Sequence, residues 1–155
     1  MNKGISLLEI LVAVAVFAIL GVIVTQSIIL TLRGSKKSES QVRARENLSY
    51  ALSVIERQLR NADSITSCNA GTVAYKDSQG VSSTFSCVSG ADSYVASSSA
   101  RLTSNEVLIN TCLFTCDLVS SPPSVTISLE ATEASATGIE GAQVSSSAKI
   151  YLRTY

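Results

Sequence analysis

The chain has 155 residues, and its twelve basic and twelve acidic side chains give a formal net charge of zero. This length fits one modest domain with an appendage. The balanced charge lacks the basic excess typical of nucleic-acid-binding proteins, and the absence of histidine removes the commonest general base and metal ligand. Residues 10–24 contain no polar side chain, whereas the chain after Thr66 is rich in Ser, Thr and Ala.

A long apolar segment follows a short polar leader. The leader is residues 1–4, with a single Lys, and the apolar segment is residues 5–32. Its 28 residues would form a helix of roughly 42 Å, longer than the ~30 Å hydrocarbon core of a bilayer. The next residues, 33–37, do not resemble the small-residue cleavage site of a secretory signal peptide. The sequence therefore predicts a membrane-spanning helix that the protein retains.

The flanking charges and the composition of the C-terminal part favour opposite orientations. Five basic residues within 33–45 outweigh Lys3 and the amino terminus, so the positive-inside rule would place the C-terminal part in the cytoplasm. Four cysteines and a Ser/Thr-rich, β-like region are instead typical of exported domains. The charges alone leave the orientation open.

Glu9 is a carboxylate near the start of the apolar segment, flanked on both sides by Leu and Ile. A carboxylate within a membrane helix costs about 2.5–3.5 kcal/mol on insertion scales, so its presence needs a reason. One interpretation is that Glu9 lies at the interface and reaches water. The other is that it meets a cation within the membrane and is neutralised there.

Residues 4–13, GISLLEILVA, closely resemble the type IV prepilin signal, in which a Gly precedes an apolar residue, [ST]-L-[LI]-E and a long apolar helix. The resemblance implies that a membrane aspartyl peptidase, the prepilin peptidase, cuts between Gly4 and Ile5. The same enzyme would methylate the new amino terminus at Ile5, where most members of the family have Phe. Glu9, then the fifth residue, would pair with the terminal amine of a subunit already in the filament. Such a pair is favourable at low dielectric.

The same resemblance implies where the protein lies and what it contacts. The leader would remain in the cytoplasm, and the helix would anchor the chain in the inner membrane with the head outside. The chain would later enter a cell-surface or periplasmic filament. The implied partners are other pilin or pseudopilin subunits, the prepilin peptidase and an inner-membrane assembly platform.

An amphipathic pattern follows residues 33–41. Leu48, Leu52, Ile55, Leu59 and Ala62 recur at spacings of four and three, which is helical periodicity. Acid-first pairs four residues apart, at 39/43 and 56/60, support the same helix. The sequence therefore predicts one helix from about residue 6 to about residue 62, with its second half packed on a globular head.

The stretch RARENLSYALSVIERQLRNADSI, residues 43–65, is similar to minor pilins and pseudopilins of the W and J kind. Their apolar helix often reads AVF near its middle, as residues 15–17 do here. Their last strand often ends in an apolar-polar-Leu-Arg pattern similar to residues 150–153. The resemblance implies a pilin-like α+β fold, in which a long N-terminal helix packs on a small antiparallel β-sheet head.

The region after Thr66 predicts an antiparallel sheet. Residues 124–130 alternate between apolar and polar side chains, which indicates a strand with one buried face. We interpret the Ser/Ala/Gly-rich residues 92–105 and 133–147 as loops and expect a single sheet. The candidate strands are residues 72–75, 81–88, 106–115, 125–131 and 148–154.

Cys68, Cys87, Cys112 and Cys116 predict two disulfides in an exported head, and three connectivities are possible. In an extended strand Cys112 and Cys116 would lie ~13 Å apart, too distant to bridge, so they pair with each other only if residues 113–115 form a turn. Crossed pairings with Cys68 and Cys87 therefore stay open beside Cys68–Cys87. A four-cysteine zinc site would usually show two close pairs of cysteines in the sequence. Cys68 and Cys87 are nineteen residues apart, so the spacing disfavours a zinc site.

The predicted organisation is a leader (1–4), a membrane half of the helix (5–32), an amphipathic half (33–65) and a head (66–155). No phosphate loop, metalloprotease or calcium-binding motif occurs, so we expect no enzyme and no cofactor or metal. The leading hypothesis is a minor pilin of a type IV pilus that serves in initiation, at the tip or in adhesion. The alternatives are a pseudopilin of type II secretion or DNA uptake, and an uncleaved signal-anchored binding protein.

Overall fold

The computed structural model describes residues 7–134 and 143–153. Gly4 and Ile5, and residues 135–142 of the second predicted loop, lie outside this range. The chain divides into two compact units, Met1–Lys36 and Lys37–Tyr155. The elements are α1 (Leu7–Arg60), β1 (Ala62–Asn69), β2 (Thr72–Asp77), β3 (Ser82–Val88), β4 (Tyr94–Ser97), β5 (Ala100–Arg101), β6 (Val107–Asp117), β7 (Ser124–Glu133) and β8 (Val144–Tyr151).

The part of α1 within the second unit buries one stripe of its surface. The predicted apolar stripe is confirmed, since Leu48, Ile55 and Leu59 are fully buried and Leu52 nearly so. Spacings of three and four place these side chains on the same helical face. The stripe extends N-terminally through Ala44 to Ser40, which a search for large apolar residues does not find.

The helix ends at Arg60, before the predicted end of its amphipathic half at residue 65. The amide of Asn61 donates to the carbonyl of Gln58 in a closing turn, and Ala62 already belongs to β1. β1 was missed because its pairing with β2 contains two bulges, which break the alternation of buried and exposed side chains. The two bulges remove the alternation with a period of two residues, on which the sequence prediction of a strand depends.

The first sheet is an antiparallel meander of β1 to β5 in chain order. Two of its strands, β4 and β5, fall within residues 92–105, so the prediction of a loop there is wrong for these six residues. They are four and two residues long, too short to establish a periodic pattern. Ser98, with a φ of +53°, lies in the turn between them.

The second sheet contains β6, β7 and β8, so the head has two antiparallel sheets rather than the expected one. β8 begins at Val144, earlier than predicted, because the serines that follow Val144 are strand residues and not a loop. β6 connects the sheets, since the amides of Phe114 and Ile109 donate to the carbonyls of Ala70 and Ser93 at 2.8 and 3.2 Å. The α+β, pilin-like fold class is confirmed.

The core of the head lies between the buried stripe of α1 and the inner faces of both sheets. Tyr75 and Phe85 stack with ring centroids 5.4 Å apart. The Tyr75 hydroxyl donates to Oε1 of Gln58 at 2.6 Å, which joins β2 to the helix. Burial raises the pKa of the Tyr75 phenol.

Two disulfides join the sheets through β6. Cys68 of β1 bonds Cys116, and Cys87 of β3 bonds Cys112, with Cα atoms 6.4 and 5.9 Å apart. β6 is extended through both of its cysteines, so they lie on the same face with Phe114 between them and cannot reach each other. Both bridges belong to the crossed type of connectivity, and no thiolate is left for a zinc site.

Candidate functional site

The described part of the first unit is a helix whose apolar side chains have no partner. Its large apolar residues between Leu7 and Leu32 are 44–81% exposed. An 18-residue window has a mean hydropathy of 3.0 and no buried residue, which makes α1 long and apolar enough to cross a membrane. A contiguous apolar surface of this size needs lipid or another protein to cover it.

Two hydroxyls within this surface are satisfied by the helix itself. Thr25 Oγ1 donates to the carbonyl of Gly21 at 2.8 Å, and Thr31 Oγ1 donates to the carbonyl of Ser27 at 2.9 Å. Such i−4 bonds remove the cost of carrying a bare hydroxyl into hydrocarbon. These two threonines are therefore compatible with a membrane-spanning helix.

Glu9 lies in the first turn of α1 and is exposed. A carboxylate at this end is favoured by the helix dipole, though the effect is worth only about 0.3–1 kcal/mol at exposed sites. Glu9 forms no ion pair with any other residue within 7–134 or 143–153. It is thus an accessible acceptor at the start of an apolar surface.

The structure does not bear on Gly4 and Ile5, which precede the first described residue. Their positions relative to Glu9 follow from the chain alone. Cutting between them would leave Glu9 four residues after the new amine, about 6 Å along a helix axis.

Glu106 and Glu133 of the head extend the predicted 39/43 pair into a charged cluster that the sequence did not single out. Arg43 bonds Glu39 and also lies within 3.7 and 3.8 Å of Glu106 and Glu133. The hydrogen bond and charge of Glu39, followed by the two other carboxylates, raise the pKa of Arg43. The i, i+4 pairing at 39/43 and 56/60 is confirmed.

An open cleft lies at the C-terminal end of α1. Its side chains either donate hydrogen bonds or both donate and accept them. It is lined by Arg57, Arg60, Asn61, Tyr151 and Arg153. Guanidiniums bind anions and not metal ions, and one of the three in this cleft, that of Arg60, already pairs with Glu56. Among the described residues, no group of three or more carboxylates or cysteines is placed to hold a metal ion. The residues that form the cleft come from the C-terminal end of the helix and from the end of β8 and the residues that follow it, so only tertiary structure brings them together.

In a comparison with protein families, residues 1–25 match the prokaryotic N-terminal methylation motif. Neither curated proteins nor solved structures gave a match. The matched residues include Gly4, Ile5 and Glu9 and most of the exposed apolar helix. Proteins with this motif are structural filament subunits rather than an enzyme family. The chain therefore carries the prokaryotic N-terminal methylation motif, which supports its assignment as a type IV prepilin-like protein.

Proposed function

We propose that this protein is a structural minor pilin of a type IV pilus, cut after Gly4, methylated at Ile5 and assembled through its N-terminal helix. The observation that carries the proposal is the exposed, uncharged helical surface that follows an accessible Glu9 within the matched motif. A surface of this kind can be covered by lipid before assembly and by equivalent helices afterwards. Glu9 then sets the register, because its charge is best compensated when a neighbouring amine reaches it.

The proposed topology places the leader in the cytoplasm and the head outside. Two disulfides between the sheets support this orientation, since disulfides persist mainly in oxidising compartments. The positive-inside rule favours the reverse orientation, but it counts flanking charges only. The head would fold against the second part of the helix outside the membrane.

A pseudopilin of type II secretion or DNA uptake has the same N-terminal signal and the same assembly logic. The two roles differ in the machine that the subunit joins. Deletion of the gene, followed by separate assays of surface pili and of substrate export, distinguishes them. We expect loss of pili with export intact, and loss of export with normal pili would favour the pseudopilin.

The decisive experiment is intact-mass analysis of the protein purified from its native membrane. We expect a chain that begins at Ile5 and carries the mass of one added methyl group. A Gly4→Leu variant should keep residues 1–4, because the peptidase would no longer accept its substrate.

A Gly21→Leu variant is the matched control, since nothing within 4 Å would meet the added Cβ atom. It changes the same residue type within the same segment and should be processed normally. A wild-type protein that still begins at Met1 or Asn2 would instead support an uncleaved signal-anchored protein.

A further inference from the structure

The assembly role leaves one feature of the helix without a use, the basic segment formed by residues 33–37. It contains Arg33, Lys36 and Lys37, separated only by Gly34 and Ser35. We propose that this basic segment binds the headgroups of anionic phospholipids in the leaflet where the membrane helix emerges. The choice of leaflet rests on the proposed function, whereas the affinity for anionic lipid does not.

The three cations of the basic segment are available to bind an anion. All three side chains are exposed on α1, and none forms an ion pair with any other residue that the structure describes. Glu39, the nearest carboxylate along the chain, is already bonded to Arg43. The cations therefore have no protein partner among the described residues.

The spacing of the three basic residues groups their charges on the helix. Positions 33, 36 and 37 are related as i, i+3 and i+4, which places three cations on one side of a helix. Neighbouring like charges on a helix repel each other by a few tenths of a kcal/mol per pair. An anionic surface removes this repulsion, while an isolated solvated helix does not.

The length of the uncharged stretch sets the depth of the basic segment in a bilayer. The uncharged stretch between Glu9 and Arg33 has 23 residues, so it is about 35 Å long as a helix. The hydrocarbon core is about 30 Å thick, and the bilayer with its headgroups is about 40–45 Å thick. A chain that keeps Glu9 at one interface thus places Arg33 to Lys37 within or just beyond the opposite headgroup layer. Phosphate groups lie at this depth.

Electrostatics sets the expected size of the effect. Each basic residue close to an anionic membrane surface increases binding roughly fivefold, and the effect decays within one Debye length. Three such residues can therefore enrich anionic lipid around the helix by one to two orders of magnitude at low salt. The enrichment should decrease as salt is added.

The test uses the full chain in vesicles and exploits its lack of tryptophan. A Ser35→Trp substitution puts a single fluorescent reporter at an exposed position within the basic segment. Its quenching by brominated phosphatidylglycerol is compared with its quenching by brominated phosphatidylcholine at equal mole fraction. We expect a preference for phosphatidylglycerol of at least about fivefold at low salt, lost at about 1 M salt.

Two variants on the Ser35→Trp background identify the residues responsible. Replacing Arg33, Lys36 and Lys37 together by Gln should abolish the preference. Replacing Arg45 by Gln removes an exposed cation from the same helix, eight residues beyond the basic segment, and should leave it unchanged. Addition of free glycerol phosphate should not compete, because the binding surface is the membrane and not a phosphate pocket.

Equal quenching by the two lipids, or a preference that survives the triple substitution, would overturn the proposal. Competition by free glycerol phosphate would also do so, since it would indicate a soluble-anion site. The vesicles have the same lipid in both leaflets and contain no peptidase or filament. The result is therefore independent of whether the leader is cut or the protein assembles.

Discussion

Glu9 combines exposure, a place in the first helical turn and a setting of apolar neighbours. A Glu9→Val substitution removes the charge and increases the apolarity of the segment, so membrane insertion should be unchanged or improved. Assembly should decrease on the order of a hundredfold, because a neighbouring amine would lose its partner at low dielectric. Immunoblots of membrane fractions and of sheared filaments measure the two effects separately.

Glu46→Val is the control for this substitution, since Glu46 is exposed and forms no ion pair among the described residues. It should leave both insertion and assembly near wild type. Normal incorporation of Glu9→Val into filaments would refute the register role.

The hydroxyl of the buried Tyr75 links β2 to the helix. In Tyr75→Phe the hydrogen bond to Gln58 is lost, and the free energy of unfolding should fall by about 1 kcal/mol at neutral pH. Chemical denaturation in detergent measures this loss. Tyr50→Phe is the matched control, because Tyr50 is 60% exposed.

The same residue predicts a pH dependence. Burial raises the pKa of Tyr75, so on alkalinisation the unfolded chain loses this proton before the folded protein does. The unfolded state then binds fewer protons, and stability must fall as pH rises above about 10. Unfolding curves at increasing pH should show a smaller alkaline decline for Tyr75→Phe than for wild type, and parallel declines would contradict this account.

At the scale of the elements, the apolar stripe of α1 provides most of the contact between the helix and the sheets. Leu48 is fully buried, so Leu48→Ala should destabilise the head by about 2–5 kcal/mol through lost burial and a cavity. Val42→Ala removes apolar atoms from an exposed position on the same helix and should change stability by less than about 0.5 kcal/mol. Similar losses in the two variants would mean that the stripe is not the packed face.

The strands show which local sequence patterns are sufficient to predict a strand. β7 was predicted closely because Val125, Ile127, Leu129 and Ala131 alternate with polar residues and are buried. The predicted β8 began only at residue 148, because the three serines that follow Val144 resemble a loop sequence. β1, β4 and β5 could not be recognised, because bulges or shortness remove their period.

At the scale of the whole molecule, the two disulfides hold the sheets together through β6. Replacing Cys87 and Cys112 by Ala opens a link across 25 residues and should cost about 3.5 kcal/mol in the chain-entropy account. Replacing Cys68 and Cys116 leaves the nested Cys87–Cys112 bridge in place, so the loop that it opens has 19 residues from 68 to 87 and 4 from 112 to 116, and it should cost a similar amount, about 3.4 kcal/mol. Denaturation of each double variant in detergent measures these losses.

Ser86→Ala is a control next to Cys87 that leaves both bridges intact and should have a small effect. Wild type treated with reductant should lose at least as much stability as either double variant. Unchanged stability in both double variants would show that packing alone fixes the two sheets.

The sequence by itself determined the uncharged apolar helix and the buried stripe of its second part, because composition and periods of a few residues are local properties of the chain. The assignment to the prepilin-like class came instead from the resemblance of residues 4–13, with Gly4 and Glu9, to a known signal. Only the tertiary structure decided the division into two sheets, the crossed disulfides and the donor-lined cleft beside Arg57. Strand pairing joins residues that are tens of positions apart, and no local pattern specifies which of them will meet.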